Sequence, residues 1–305
     1  MDIAIIDLGT NTFNLLICRK EKDKFKTIFK TKIAVKLGEG GIDKGIIAQL
    51  PYQRGIEALR THLETIKKYQ VKKVRAFATS AIRSTENGAD FVREVYEKLA
   101  LTIEVIDGDQ EAELIYEGVK KAIDFDLENK LIMDIGGGST EFIIANSEGV
   151  KWKESYQLGV SRLKELFKPN DPITQKDINN IESYFEKVLP QLFESLKQYP
   201  CEVLIGSSGS FDTLVEMIGY EFNKVKEIDK MPASAIKMQE YQWAQHYLLE
   251  STLAERINTK GIIKMRADMI VISVIFINYL LRKTNIKVIK RSKYALKEGA
   301  MNYYF

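Results

Sequence analysis

Ile5-Ile6-Asp7-Leu8-Gly9-Thr10-Asn11-Thr12, running into Phe13-Asn14-Leu15-Leu16-Ile17, decides the fold because it occurs twice. The second copy is Ile132-Met133-Asp134-Ile135-Gly136-Gly137-Gly138-Ser139-Thr140, running into Glu141-Phe142-Ile143-Ile144. The two align without a gap, Asp7 over Asp134 and Gly9 over Gly136. Each reads as a strand, a tight glycine-containing turn and a second strand. Glycine lets the backbone approach a ligand and aim its N–H groups at one point. Two such turns facing each other across a cleft would hold phosphates from both sides.

Working outward, each copy opens a run of strands followed by helices. The first half reads as strands Ile3–Asp7, Phe13–Arg19 and Phe25–Val35, then a helix from about Ala48 to Tyr69 carrying Ile56, Leu59, Leu63 and Ile66 on one face. Strand Val74–Thr79, helix Phe91–Leu99 and strand Ile103–Ile106 follow, and a helix begins near Asp109 and runs to about Ala122. In the second half, Ser155–Leu158 and Val203–Gly206 read as strands, 174–198, 240–258 and 266–282 as helices, Ile286–Ile289 as a strand and Tyr294–Tyr304 as a helix. No Gly-, Pro- or Ser-rich linker separates the halves, so the boundary runs through the helix near Asp109. The pattern predicts a duplicated α/β domain with ligands at the turns that follow strands.

Composition excludes several classes. A chain of 305 residues accommodates two domains, and a net charge of +3 does not suggest a nucleic-acid binder. Two cysteines, Cys18 and Cys201, read as buried thiols in a reducing compartment. With only His62 and His246, a zinc site or a Ser-His-Asp triad is not expected. No signal peptide opens the chain, and Met269–Leu281 is too short for a membrane span and reads as a core helix, so the expectation is a cytoplasmic protein off the membrane.

Asp7 and Asp134 end apolar strands, and Glu141 begins the strand after the second turn. Carboxylates repel phosphate unless a cation lies between them, and hard oxygens suit Mg²⁺ completed by waters and phosphate oxygens. The plainer alternative is that each Asp caps its own turn. Backbone N–H groups around Gly136, Gly137, Gly138, Ser139 and Thr140 form a candidate anion nest, mirrored by Thr10, Asn11 and Thr12. Glu111 falls in the first turn of the interdomain helix, either as a base for an attacking water or as an acid favoured there by the helix dipole. Arg83 follows Ala78-Thr79-Ser80-Ala81-Ile82, placed either to contact phosphate oxygens or as a surface residue at a helix start. Lys287, Lys290, Arg291, Lys293 and Lys297 form one of several basic clusters, either the track that a long polyanion would need or, more simply, a solvated face. The aromatic run Tyr303-Tyr304-Phe305 reads as a docking element.

These motifs, with Leu37-Gly38-Glu39-Gly40, Gly108-Asp109-Gln110-Glu111-Ala112, Leu158-Gly159, Gly206-Ser207-Ser208-Gly209 and Leu296-Lys297-Glu298-Gly299, resemble the exopolyphosphatase / guanosine pentaphosphate phosphohydrolase family in order along essentially the whole chain. That family lies in the actin, sugar-kinase and heat-shock-ATPase superfamily. The resemblance implies an α/β fold of two ribonuclease-H-like (actin-like) lobes with an interdomain cleft. Residues 1–118 would form the first lobe, joined by a C-terminal helix at 295–305, and 119–294 the second. It implies Glu111 as general base, Glu141 as second catalytic acid and Arg83 as the cleft arginine. Asp7, Asp134 and Glu141 would hold Mg²⁺, and Thr10, Asn11, Thr12, Gly136, Gly137, Gly138, Ser139, Thr140, Ser208 and Gly209 the phosphates. Gln110, Ser210 and Lys297 depart from the family pattern, where an acid, a threonine and an arginine are usual.

The implied reaction is hydrolysis of the terminal phosphate of inorganic polyphosphate. Conversion of guanosine pentaphosphate shares the chemistry. A superfamily kinase, with Gly206-Ser207-Ser208-Gly209 against an adenosine, and a non-catalytic alarmone or polyphosphate sensor are the other readings. The family also suggests a homodimer.

Overall fold

A computed structural model describes residues 2–22, 24–228 and 231–305. The first sheet is built from β1 (Asp2–Leu8), β2 (Thr12–Glu21), β3 (Lys24–Ala34), β4 (Lys73–Ala78) and β5 (Ile103–Val105), in the order β3-β2-β1-β4-β5. Its helices are α1 (Gln49–Lys68), α2 (Ser80–Arg83), α3 (Gly88–Leu99) and α4 (Gly108–Val119). The second lobe begins with β6 (Lys130–Ile135), β7 (Thr140–Asn146) and β8 (Gly149–Tyr156). It continues through α5 (Val160–Phe167), α6 (Gln175–Val188), α7 (Pro190–Gln198), β9 (Val203–Ser207), α8 (Ser208–Glu221), α9 (Val225–Ile228) and β10 (Ala233–Ile236). Then come α10 (Met238–Glu250), α11 (Leu253–Asn258), α12 (Ile270–Lys283), β11 (Val288–Ser292) and α13 (Leu296–Tyr304). The second sheet runs β10-β11-β9-β6-β7-β8. Read from β8, it repeats the first: an antiparallel meander, then two parallel strands, with β10 added at the edge. The expected two-lobe α/β architecture is present.

Strand periodicity aims the acids. Ala4, Ile6 and Leu8 pack outward with α1 and α3, while Ile3 and Ile5 face the space between the lobes. Asp7 continues the Ile3–Ile5 row, since alternate residues share a face. In β6, Leu131, Met133 and Ile135 enter the second lobe's core, and Ile132 faces inward in the same row as Asp134. The interlobe core is filled by α4 and α13 together with Phe77, Ile143 and Ile205.

The α4–α13 crossing is close because both helices present glycine. A Cβ on Gly299 would overlap the Leu114 carbonyl, and one on Gly118 the Ala295 carbonyl. The C-terminal aromatic residues dock as expected: Tyr304 stacks on Phe77 with ring centres 5.3 Å apart, Arg75 lies 3.7 Å over its ring, and Gln110 Nε2 donates to its hydroxyl at 2.7 Å. Both cysteines are buried thiols, and α12 is a buried helix. Among the described residues no helix is long and apolar enough to cross a membrane.

Several boundaries differ from the sequence reading. The helix expected over 174–198 is two, because Pro190 lacks an N–H and opens α7 at its first position. The helix expected over 240–258 breaks at Ser251, and Thr252 caps α11 by accepting from the Glu255 N–H. The strand expected at Ser155 begins at Gly149, the last strand runs Val288–Ser292, and α12 starts at Ile270 after a short 3₁₀ turn at Lys264–Arg266. Helix α5 and strand β10 were not anticipated.

Candidate functional site

The two turns close identically. Gly9 N–H donates to the Thr12 carbonyl at 3.1 Å, and Gly136 N–H to the Ser139 carbonyl at 3.0 Å. They meet tip to tip: a Cβ on Gly137 would lie 2.7 Å from Asn11 Nδ2, and one on Gly138 2.6 Å from Thr10 Oγ1. Helix α5 orients the glycine turn. Val160 N–H donates to the Gly136 carbonyl at 3.0 Å, Ser161 N–H to the Gly137 carbonyl at 2.9 Å, and Arg162 Nε to the Gly138 carbonyl at 3.1 Å. In a trans peptide the N–H points opposite to the preceding carbonyl. The N–H groups of Gly137, Gly138 and Ser139 are therefore aimed away from α5, into a cleft of about 580 Å³ that these residues line.

The same cleft is lined by Asp7, Asp134, Glu141 and Glu111. Asp134 and Glu141 lie directly opposite on β6 and β7. Like charges in that register repel, and serines on β8, on β9 and at the start of α8 compensate. Ser207 and Ser208 hydroxyls donate to Asp134 Oδ2 at 2.6 and 2.8 Å, and Ser155 Oγ donates to Glu141 Oε1 at 2.7 Å. Asn14 stands where Glu141 does in the duplicate and donates to Asp7 Oδ2 at 3.0 Å. Ser208 takes up this role with φ of +64°, a left-handed conformation that costs a non-glycine residue about 1 kcal/mol. Such strain is typical of functional positions.

Asp107 caps α4 by accepting from the Gln110 N–H at 2.8 Å, which sets Glu111 in the first turn facing inward. Glu111 is only 6% exposed. Arg83 Nη1 donates to its Oε2 at 2.9 Å and to the Ile106 carbonyl at 2.7 Å. The arginine thus anchors Glu111 rather than lining the cleft itself. Burial drives the acids toward their neutral forms. Asp7 is pushed up to about 6, against the pull of Lys297, and Glu141 to about 7 by burial and then by Asp134. Burial, then Glu141, raises Glu111 well above the ordinary range, opposed by Arg83. Burial also raises Asp134, opposed by Ser207 and Ser208.

Other expected residues have different surroundings. Thr140 is fully buried and its hydroxyl donates to the Leu158 carbonyl at 3.0 Å, so this side chain is not a phosphate donor. Asn11 spans the lobes: its Oδ1 accepts from Ser161 Oγ at 2.5 Å and its Nδ2 donates to Met269 Sδ at 3.4 Å. Arg162 completes this clasp, with Nη1 donating to the Ile42 carbonyl at 3.0 Å and Nη2 to Ser84 Oγ at 2.8 Å. Thr10, Thr12, Ser139, Ser208 and Gly209 line the cleft. The two glycines of the Gly206–Gly209 turn have no room for a side chain, although Gly209 still lines the cleft. A Cβ on Gly206 would overlap the Phe211 ring, and one on Gly209 the Arg266 guanidinium, which also donates to the Gly209 carbonyl at 2.6 Å.

Asp7, Asp134 and Glu141 do not by themselves converge on an ion: among the described residues no three carboxylate, histidine or cysteine groups form a closed ligand set. The donor chemistry nevertheless fits a hard divalent cation that keeps waters and takes phosphate oxygens. Four recessed acids share the cleft with Lys297, a cation facing Asp7 and Asp134.

The sequence reading ranked a solvated face above a polyanion track for the C-terminal basic cluster and did not single out Lys30, Lys32 or Arg266. Lys30 and Lys32 from β3, Arg266, and the Arg291, Lys293 and Lys297 of the supposed solvated face all line the cleft. The signal was available for Lys297, two residues before the glycine that seats α13 on α4.

The sequence profile of the Ppx/GppA phosphatase family matches residues 16–303. The chain belongs to this family. It is similar to an exopolyphosphatase from Cytophaga hutchinsonii, with 36% identity, 99% of this chain and 96% of that chain covered, and a TM-score of 0.96. A Ppx/GppA family member from Aquifex aeolicus shares the fold at 24% identity and a TM-score of 0.80, over 99% of this chain and 97% of that one. The bifunctional 3-dehydroquinate synthase/phosphatase of Fusobacterium nucleatum is 31% identical over 91% of this chain. The chain spans less than half of that curated relative, 43% of its length. The chain therefore shares the two-lobed, actin-like fold of Ppx/GppA proteins.

Proposed function

We propose that this Ppx/GppA phosphatase hydrolyses the terminal phosphoanhydride of inorganic polyphosphate in a Mg²⁺-dependent reaction. The observation that carries the reading is Glu111: a buried carboxylate, anchored by Arg83, in the same cleft as two opposed turns with inward N–H groups. Similarity to the Cytophaga hutchinsonii exopolyphosphatase over nearly the whole chain supports the substrate class.

The terminal phosphate sits against the N–H groups of Gly137, Gly138 and Ser139, with the Thr10 and Thr12 hydroxyls opposite. Glu111 orients a water and takes its proton as the water oxygen attacks phosphorus. The bond to the bridging oxygen breaks, and the remaining chain leaves with that oxygen. Arg83 opposes the burial and the Glu141 charge that favour the protonated form, and so draws Glu111 toward the ionised form that accepts the proton. Asp7, Asp134 and Glu141 would hold Mg²⁺ through waters and substrate oxygens, and the ion would supply neutralisation of phosphate charge. Catalysis is mainly positioning and electrostatics, as is general for phosphoryl transfer.

The test is phosphate release from polyphosphate and, side by side, from guanosine pentaphosphate, with and without Mg²⁺. Glu111→Gln should lower turnover about 10²- to 10⁴-fold, the usual contribution of a positioned base, while polyphosphate still binds. Wild-type turnover in that variant would remove Glu111 from the reaction. Preference for guanosine pentaphosphate would move the substrate to the nucleotide branch.

A further inference from the structure

The cleft has a second end. Away from Glu111 its walls carry Lys32 of β3 facing Arg266, with Arg291 and Lys293 of the second lobe, and the acids Asp212 and Glu216 beside them. Arg291 stands apart. It is 3% exposed, yet among the described residues neither its Nε nor its Nη1 has a hydrogen-bond partner. Asp212 Oδ1 is 3.5 Å from Nε, too far for a strong charge-assisted bond. Ser234, directly opposite Arg291 on β10, likewise keeps a buried hydroxyl without a partner. Arg266, by contrast, is committed to the Gly209 carbonyl and Thr213. A guanidinium withdrawn from water with open donors is costly unless an anion meets it. Its planar fork matches phosphate oxygens.

The geometry points to Arg291 as a specificity-determining contact that holds a second, uncleaved phosphate group of the substrate at the end of the cleft remote from Glu111. The assignment rests on the reading that this cleft takes phosphoanhydrides. It deepens that reading, because a substrate reaching both Glu111 and Arg291 must carry phosphate beyond the one released. That phosphate has two possible sources, a linear chain or the far side of a nucleotide.

The test compares wild type, Arg291→Met and Arg291→Lys on inorganic triphosphate, long polyphosphate and guanosine pentaphosphate. Arg291→Met should raise KM at least tenfold for a substrate that reaches the subsite. That rise should be several times larger than the one for triphosphate, with kcat less affected, and Arg291→Lys should recover part of the loss. A rise confined to long polyphosphate assigns the second phosphate to a linear chain, and one confined to guanosine pentaphosphate assigns it to the nucleotide. Equal KM changes on all three substrates, or none, overturn the assignment.

Heat stability separates this role from a structural one. Without ligand, Arg291→Met should be at least as stable as wild type, and long polyphosphate should raise Tm more in wild type. A clear loss of ligand-free Tm would assign the arginine to the Asp212 contact instead. Calorimetric binding separates the two hypotheses. If nothing is hydrolysed but long polyphosphate binds Arg291→Met at least tenfold more weakly, the subsite stands and the hydrolysis falls. If hydrolysis proceeds with unaltered KM, the hydrolysis stands and the subsite falls.

Discussion

Asp7→Asn should make the metal-free protein more stable at neutral pH while removing most of its activity. The side chains are nearly isosteric, and the Asn14 amide, 3.0 Å from Asp7 Oδ2, can donate to the new carbonyl as it did to the carboxyl. What changes is the charge. Asp7 in the folded protein holds its proton up to about 6, mainly because it is recessed from water, against an ordinary 3.8. A raised folded value gives a contribution that is full below 3.8 and disappears as pH rises through 6. Two pH units correspond to about 3 kcal/mol, and solvent reaching the cleft reduces this to about 2 kcal/mol. Wild type should therefore lose about 2 kcal/mol relative to Asp7→Asn between about pH 3 and 7. For a chain of this size that is a Tm difference of roughly 4 °C. The assay is thermal denaturation of both proteins in chelator across that range, repeated with Mg²⁺ at the upper end. Mg²⁺ should raise the wild-type Tm and leave the variant nearly unmoved. Parallel pH profiles for the two proteins would refute the reasoning, because they would mean that Asp7 titrates alike in the folded and unfolded chains.

The acid limb of kcat/KM against pH should lie above the ordinary glutamate range, since burial and Glu141 keep Glu111 protonated. Arg83→Met should move that limb further up, because Arg83 is the charge that opposes them; an unmoved limb would detach Arg83 from Glu111. Gly299→Ala should cost about 3 kcal/mol or more, an overpacking effect, because its methyl would overlap the Leu114 carbonyl where α13 crosses α4. Urea denaturation reads this, and a loss below about 1 kcal/mol would mean the helices separate easily. Arg162→Ala removes hydrogen bonds to Ile42, Ser84 and Gly138. It should raise KM several-fold and increase the radius of gyration measured by solution scattering; an unchanged radius would show that other contacts hold the cleft shut.

The duplication was legible because both glycine turns keep the same spacing from strand to acid, so a gapless alignment locates two equivalent strand ends. The inward aim of Asp7 and Asp134 was legible for the same reason, since alternation along Ile3–Ile5–Asp7 needs no tertiary information. Helix breaks were harder. Nothing in local periodicity ends a helix at Ser251, because the apolar spacing continues and only the Thr252–Glu255 capping pair marks the restart. The basic end of the cleft was illegible from composition. Arg291 lies in a short, charged strand that reads as surface, and only its pairing between β9 and β10 withdraws it from water. The interlobe bond of Asn11, which also lines the cleft, and the buried bond of Thr140 were not foreseen. A polar side chain beside a glycine turn suits a ligand as well as it suits a neighbouring lobe, and the partners Ser161 and Leu158 lie far along the chain.

The pairing of α13 with α4 has a consequence for biosynthesis. Ile3, Ile5, Leu16 and Phe77 pack with Leu296, Ala300 and Met301, which the ribosome adds more than two hundred positions later. A nascent first lobe must therefore carry a bare apolar floor throughout most of translation. Chaperone capture of the growing polypeptide, rather than autonomous maturation of an N-terminal fragment, is the natural outcome of that delay.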